Sequence, residues 1–467
     1  MINLEKYLEI ESDSKILDFK INEFPLWLIV RTKALYGLII SNENMDNPCI
    51  KTTSIWDISF KEKVLYIFYT LLKNPFFADK NNILIIGNVA DNIKNNNVYF
   101  NKLYYKILEN FNSILLEKSF KFSYRQPKKE KTLYIDLIEI ISKLLGKGII
   151  LSKNEIRTIN LFLKFLENKI KKLKLLISDN FFVNLKGFIY GSIKSYKIKK
   201  FLFSILLNKV NPKLLILECA HYFSHYPFIL AAREKGVKIA EYQHGYIGDD
   251  HYAYNFHPKI KDKIKDFLPD YMLTWGKYWS NGINTPSKKL EIGNFLLEDM
   301  LKKVKTTNRY KKAILIISCA HYPDRYIQLG KNIKNNFPGY QLYFRPHPTE
   351  IYSVKEKYSE LIKIGYKIDT GNLYTETLPN SEIVISLGRS TVLFEALLYT
   401  NKVFLITKKI NNNFPFYQVK SVKELVDYVN KMDGNKNYTN VPSANQLWEK
   451  DPIGKFKKFL EKEIYIE

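Results

Sequence analysis

The feature that most constrains this chain is an alternation. Short apolar runs recur along it, each released through a loop bearing Gly, Asn, Ser or Pro into a helical pattern. "NILIIGNVADN" (Asn82–Asn92) leads to "NKLYYKILENF" and then to "SILLEK". "KLLILE" leads to "PFILAAREKG" and then to "VKIAEYQHG". Runs this short and this apolar lack a polar face, so they predict strands covered on both sides. The intervening helices supply the cover, and β-loop-α repeats of this kind predict parallel sheets.

The alternation comes in two series. The first ends with the strand-like pieces "DYMLTWGKYW" and "KLEIGNF" and is interrupted by a largely helical stretch at about 130–210. Past the basic linker "KKVKTTNRYKK" comes the second: "AILIIS", "YQLYFRPHP", "YKID", "EIVISLG", "STVLFEALLYT" and "KVFLIT". The expected fold class is α/β, with two facing Rossmann-like domains. Residues 1–300 would form the first, with a helical N-terminus (1–80) and the helical insertion. Residues 301–445 would form the second, and a C-terminal helix (446–467) is expected to cross back to the first.

Composition removes several classes. With 46% hydrophobic and 25% charged residues, the chain can bury a core and is not a disordered polymer. Cys49, Cys219 and Cys319 are too few and too scattered for a disulfide framework or a zinc site, and no HExxH occurs, so no metal is expected. The N-terminus "MINLEKYLEIESDSK" has no signal-peptide core. The most apolar window, "FPLWLIVRTKALYGLII", is cut by Arg31 and Lys33. A cytoplasmic protein is expected, at most peripheral on the inner face of the plasma membrane.

The net charge of +25 raises nucleic acid as a partner. The lysines, however, are spread through a chain rich in Asn, Ile and Tyr, no nucleic-acid motif occurs, and the aromatics sit in apolar runs where packing explains them. Nucleic acid is not expected. One stretch stands out: Lys164 to Lys213 holds twelve lysines against Glu167 and Asp179. It reads either as a solvated helical face or as a surface for anionic lipid.

The tetrapeptide CAHY closes two strand-like runs, in "LLILECAHYFSHYP" and "AILIISCAHYPDRY". Ligands of open α/β sheets bind beyond the C-terminal ends of strands. Glu218, His221, Ser318 and His321 are therefore expected to line a cleft, together with Gln243 and Gly245; the alternative is that Cys and Ala are small fillers beside an incidental His. All seven histidines lie between His221 and His347, which suggests polar chemistry at a domain junction. In "YFRPHPTE", Pro346 and Pro348 stop a strand and hold Arg345 and His347 at its end. In "ISLGRSTVLFEAL", Gly388 permits a sharp strand-to-helix turn, and Ser390 and Thr391 are natural N-caps. The N–H groups there, with Arg389, make an anion site. Glu395 lies one turn on and could accept a ribose hydroxyl.

"RPHP" followed by "SLGRSTVLFEALLYTNKVFLI" resembles the C-terminal half of GT-B glycosyltransferases that build bacterial surface polysaccharides. The likeness is to the capsule-synthesis and Kdo- or sialic-acid-transferring groups, with their HP and Ser/Thr motifs. "EYQHGYIG" resembles the QHG segment of the capsule proteins, and "DYMLTWGKYW" and "LEIGNF" match segments of related transferases. The resemblance covers about 215–430. It implies a nucleotide-sugar donor, CMP-linked or otherwise UDP- or GDP-linked, used as substrate with no cofactor. It implies a glycan or glycolipid acceptor of capsule or lipooligosaccharide type.

By the resemblance, Arg345, His347 and Pro348 form the phosphate side of the donor site. Gly388, Arg389, Ser390 and Thr391 hold phosphate at the helix start, and Glu395 takes the ribose. His244 and Gly245 lie near the reacting carbon, and His244, Asp249 or Asp250 is the base. The acidic D/E-D/E-G motif of the sialyltransferase-like groups is missing, with Asp249 and Asp250 its nearest equivalents. Phosphate held by Arg, His and a helix start requires no metal. A CDP-glycerol-type glycerophosphotransferase, a sugar-nucleotide epimerase, a silent scaffold and a nucleic-acid-binding protein are the rival readings.

Overall fold

The eleven strand-like runs form strands in two separate sheets, and Thr132–Tyr134, inside the stretch expected to be helical, and Tyr417–Val419 add two more. The computed structural model describes residues 3–43, 55–95, 97–129, 131–304, 312–320, 322–351, 353–408, 410, 414–434 and 447–465. The chain divides into two compact units, one built from Ile2–Glu43, Lys51–Phe295 and Asp451–Glu467 and the other from Leu296–Lys450.

The first unit carries strands β1 (Ile83–Asn88), β2 (Ser113–Lys118), β3 (Thr132–Tyr134), β4 (Leu214–Leu217), β5 (Lys238–Tyr242), β6 (Tyr271–Thr274) and β7 (Lys288–Glu291). They pair in the order β7-β6-β5-β4-β1-β2-β3, and every pairing is parallel. β4 (LLIL) is buried along its whole length, as a strand without a polar face must be. The order reverses between β1 and β4. In an open parallel sheet this reversal opens a crevice at the strands' C-terminal ends.

The rest of the stretch at about 130–210 is helical, as expected: α3 (Asp136–Lys147), α4 (Lys153–Lys172) and α5 (Phe181–Val210). α4 starts on a Ser152–Glu155 capping box, and α5 stops at Asn211 in a left-handed conformation. Ahead of the sheet lie α1 (Leu26–Asn42) and α2 (Phe60–Leu72), and α6 (Tyr226–Glu234) follows β4. Arg31, which interrupts the most apolar window, is fully buried in α1 against Glu11 and donates to the carbonyls of Tyr252 and Asn255. A buried charge so completely partnered marks a protein interior. Among the described residues no helix is long and apolar enough to cross a membrane. The C-terminal helix α10 (Pro452–Phe459) belongs to the first unit, where Phe456 packs on Phe111 and Phe459 on Tyr271, with ring centroids 5.1 Å apart in both pairs.

The second unit repeats the plan with β8 (Ala313–Ile317), β9 (Gln341–Arg345), β10 (Lys367–Ile368), β11 (Ile383–Ser386), β12 (Lys402–Ile406) and β13 (Tyr417–Val419). Their order is β10-β9-β8-β11-β12-β13, all parallel. In sequence rank this is 3-2-1-4-5-6, the order of a dinucleotide-binding Rossmann sheet, with its switch between β8 and β11. Helices α7 (Pro323–Asn336) and α8 (Thr391–Ala396) connect strands, and α9 (Val422–Gly434) follows the last one. The α/β expectation holds, and both Rossmann-like units that a GT-B fold requires are present.

Candidate functional site

In the second unit the expected donor residues follow three adjacent strands. β9 releases His347, β8 releases Ser318 and Cys319, and β11 releases Gly388 to Thr391. Side chains tie these strand ends together. The Ser318 hydroxyl donates to Glu350 Oε2 (2.5 Å), which also accepts from the His347 backbone N–H (3.3 Å). Tyr358 donates to the other oxygen at 2.7 Å. Glu350 is almost completely buried, and its carboxylate fastens the His347 loop to the end of β8.

His347 caps the short turn Pro348–Glu350. Its Nδ1 accepts from the Thr349 N–H (3.3 Å) and meets the Thr349 hydroxyl at 2.8 Å. Nδ1 is thereby the acceptor nitrogen, which leaves Nε2 as the N–H of the neutral ring, a donor.

The other side of β8 is equally close. A Cβ built on Gly388 would lie 2.5 Å from Cys319 Sγ and 2.8 Å from its Cβ, so only glycine fits where the ends of β8 and β11 meet. Tyr326, buried in α7, accepts the backbone N–H of Cys319 (3.0 Å) and of Leu387 (3.3 Å) on its hydroxyl oxygen. One phenol thus clamps both strand ends across the switch. Ser390 is the N-cap of α8, accepting from the Val392 N–H at 3.3 Å. α8 spans six residues, so its dipole is small and the local N–H groups carry what anion affinity it has. Arg389 lies 4.7 Å from the Phe414 ring centre.

Two expected donor residues are engaged differently from the expectation. Arg345 NH1 pairs with Asp369 and also reaches Gly371 O and Thr377 Oγ1; a guanidinium held by a carboxylate braces the 369–377 loop. Glu395 is buried and accepts from the Tyr374 hydroxyl at 3.0 Å.

In the first unit β4 ends in Glu218 and Cys219, and Cys219 takes a left-handed φ of 54° that swings the chain into the turn Ala220–Tyr222. His221 and Gln243, expected to line a cleft, are fully buried. His221 Nδ1 and its backbone N–H both meet Glu241 Oε2, and its Nε2 lies 2.8 Å from Thr285 Oγ1. Gln243 accepts from the Trp275 N–H and donates to Gly245 O, both at 2.9 Å. Their hydrogen-bonding capacity is used inside the fold, so they brace the site. Ser318, almost fully buried, does the same in the second unit. His321 lies outside the described residues.

His244 is partly exposed, with Cys219 Sγ at 3.6 Å from Nε2 and the Tyr254 hydroxyl at 3.5 Å from Nδ1. Tyr254 donates its proton to Glu241 Oε1, so its oxygen is left to accept from His244 Nδ1–H. That tautomer puts the lone pair on Nε2. Burial holds the His244 imidazole below its ordinary range, partly offset by the Glu241 carboxylate, so the ring is neutral, with its Nε2 lone pair beside the Cys219 thiol, and a neutral imidazole is a candidate general base. Burial pushes the Cys219 thiol well up, which disfavours a thiolate nucleophile. Burial and Asp91 push Glu218 well above the carboxylate range, so it is held as the acid. Asp249 is exposed, and Asp250 accepts from Tyr246 at 3.0 Å. Among the described residues no group of three or more His, Cys, Asp or Glu could hold a metal ion.

Glu241, Tyr254, Tyr326 and Glu350 escaped the sequence reading. Two left a trace: Glu350 stands at capping-box spacing from His347, and Glu241 is a charge between the apolar Ala240 and Tyr242 in the buried part of its strand. The tyrosines left none.

No family model and no curated protein matches the chain. Solved structures that resemble it include UDP-GlcNAc 2-epimerase from Neisseria meningitidis bound to UDP-GlcNAc, at 11% identity over 81% of this chain and 98% of that one, TM-score 0.46. MurG from Acinetobacter baumannii is 8% identical over 81% and 99%, TM-score 0.41. A UGT transferase from Siraitia grosvenorii in complex with UDP is 8% identical over 81% and 99%, TM-score 0.40. The fold rests on the strand orders described above.

Proposed function

We propose that the protein is a glycosyltransferase that moves a sugar from a nucleotide donor to a cell-surface glycan or glycolipid. The observation that supports it most is the second unit's 3-2-1-4-5-6 sheet, which brings His347, Cys319 and the Gly388–Thr391 turn to neighbouring strand ends at the switch point. His347 Nε2–H and the N–H groups around Ser390 and Thr391, with Arg389 beside them, are the phosphate donors. Glu395 is the proposed ribose acceptor, in competition with Tyr374. In the first unit His244 is the proposed base, oriented through Tyr254 by Glu241, with Asp249 the alternative. The phosphate charge is met by imidazole, guanidinium and backbone N–H, so turnover is expected without a divalent ion.

The test is a calorimetric and product assay with CMP, UDP, CDP and GDP and their sugars. One nucleotide is expected to raise the melting temperature, CMP first among them, and sugar loss from its donor should require an acceptor and survive EDTA. No shift with any nucleotide defeats the reading. Isomerisation of a UDP-sugar without acceptor moves it to an epimerase, and Mn²⁺ stimulation abolished by EDTA defeats metal independence.

A further inference from the structure

Helix α2 turns its apolar side outward. Only Tyr66 and Thr70 are buried, Tyr66 donating to Asp136 at 3.1 Å and Thr70 meeting the Tyr124 hydroxyl at 2.8 Å. Two residues four apart define the inward edge. At about 100° per residue, Phe60, Val64, Leu65, Ile67, Phe68, Leu71 and Leu72 fill an arc of roughly 160° on the other side. They are 81, 49, 43, 50, 53, 55 and 54% exposed. The helix is held by its own Ser59–Glu62 capping box; Glu62 falls outside the arc, and Lys61, in the first turn, is the one charged residue within it. A face this dense exceeds the scattered apolar exposure of an ordinary surface.

We propose that α2 docks in the plane of an anionic lipid bilayer, its apolar arc in the boundary between headgroups and acyl chains. The charge pattern selects this occupant. Val64 to Leu72 carries no charge, whereas exposed Lys61 and, over the Trp56 ring, Lys63 stand in the first turn, where their ammonium groups can reach lipid phosphates. Trp56, 81% exposed, lies just ahead of the helix, an amphipathic ring suited to the headgroup level. A chain of net charge +25 is drawn to an anionic leaflet and repelled by a second copy of itself. The basic 164–213 segment also exposes Val183, Phe188 and Phe201, but it fits less well, because Lys186, Lys194, Lys197, Lys199 and Lys200 interrupt that stretch and leave no uncharged run as long as Val64–Leu72.

The test is co-sedimentation of the full chain with vesicles of phosphatidylcholine alone or mixed with phosphatidylglycerol. Mixed vesicles should bind at least ~10-fold more tightly. Phe60→Ser/Ile67→Ser/Phe68→Ser/Leu71→Ser should weaken binding at least ~100-fold without lowering the melting temperature, since it removes exposed atoms. Trp27, Trp275, Trp279 and Trp448 are buried, so quenching by brominated acyl chains would report Trp56 and should vanish in Trp56→Phe. The proposal is overturned if the wild type ignores both vesicles, or if the quadruple variant binds like wild type. It is also overturned if binding instead follows Lys186→Glu/Lys194→Glu/Lys197→Glu, or if the variant abolishes only a dimer seen by light scattering.

Discussion

Gly388→Ala probes the switch point of the second unit most directly. The added methyl would sit 2.5 Å from Cys319 Sγ and 2.8 Å from its Cβ, about 1 Å inside the ~3.5 Å of ordinary contact. Neither atom is the far end of a flexible chain. Cys319 leaves a strand paired to β11 through Ile317 and Ser386, and its N–H is held by Tyr326. Relief therefore means parting β8 from β11 and straining one or both bonds to the Tyr326 hydroxyl. Overpacking of this kind costs about 1–3 kcal/mol, and a buried N–H left unsatisfied adds about 1–3. A total near 3 kcal/mol would lower the melting temperature of the second unit by roughly 6–12 °C. Cys319→Gly removes both clashing atoms and by itself costs about 1 kcal/mol in backbone freedom. In the double variant the methyl added at position 388 occupies the vacated space, so the penalties should fall short of their sum by about 2 kcal/mol. Scanning calorimetry of the four proteins gives this coupling, and nucleotide titration shows whether the pocket returns with it. Penalties that add to within about 0.5 kcal/mol, or an unmoved transition in Gly388→Ala, would refute the reasoning.

His347→Ala should weaken nucleotide binding at least ~10-fold and cost only about 1 kcal/mol of stability as a lost cap; unchanged titration calorimetry removes it from the donor site. Tyr254→Phe breaks the link between Glu241 and His244, and turnover should fall ~10²-fold with nucleotide affinity kept. Asp249→Asn should leave turnover near normal if His244 is the base, and the reverse pattern would transfer the role to Asp249. Burial holds His225 at about 4 and His251 at about 3, against 6.5 for the free side chain. Both are neutral in the fold and bind protons in the unfolded chain, so their stabilisation is full above pH 6.5 and is lost as pH falls toward 4. At pH 5.5 each should already have lost about 1.4 kcal/mol. Calorimetry between pH 7.5 and 5 checks this, and a flat first-unit transition would count against it.

The fold was legible because it depends on strands with no polar face. "KLLILE", "AILIIS" and "KVFLIT" admit no half-exposed placement, and the helical patterns between them leave parallel pairing as the compact solution. Strand order was not legible, since periodicity does not say which strand lies beside which. The backbone turns of the candidate site were legible, because Pro346, Pro348 and Gly388 are backbone decisions visible in the residue types. Its supports were not. Whether Arg345 faces a phosphate or Asp369 depends on where a loop 24 residues later returns. Likewise His221 becomes a brace only because Glu241 and Thr285, distant in sequence, converge on it.

The two CAHY copies do not occupy equivalent places. The first follows β4, the fourth strand of its sheet, and the second follows β8, the first strand of its own. Duplication of an ancestral half would have left both after the same strand. They share a location instead: each ends a strand beside the reversal of sheet order, where the chain must turn sharply in a crowded space. Cys219 and Ala320 meet that need with left-handed backbones, at φ 54° and 65°, and the small side chains admit close neighbours. Cys219 leaves room for the His244 ring, and Cys319 abuts a position where nothing larger than glycine fits. The repeated tetrapeptide is therefore best explained by the sterics of two switch points reached independently, one bordering the proposed base and the other the proposed phosphate site.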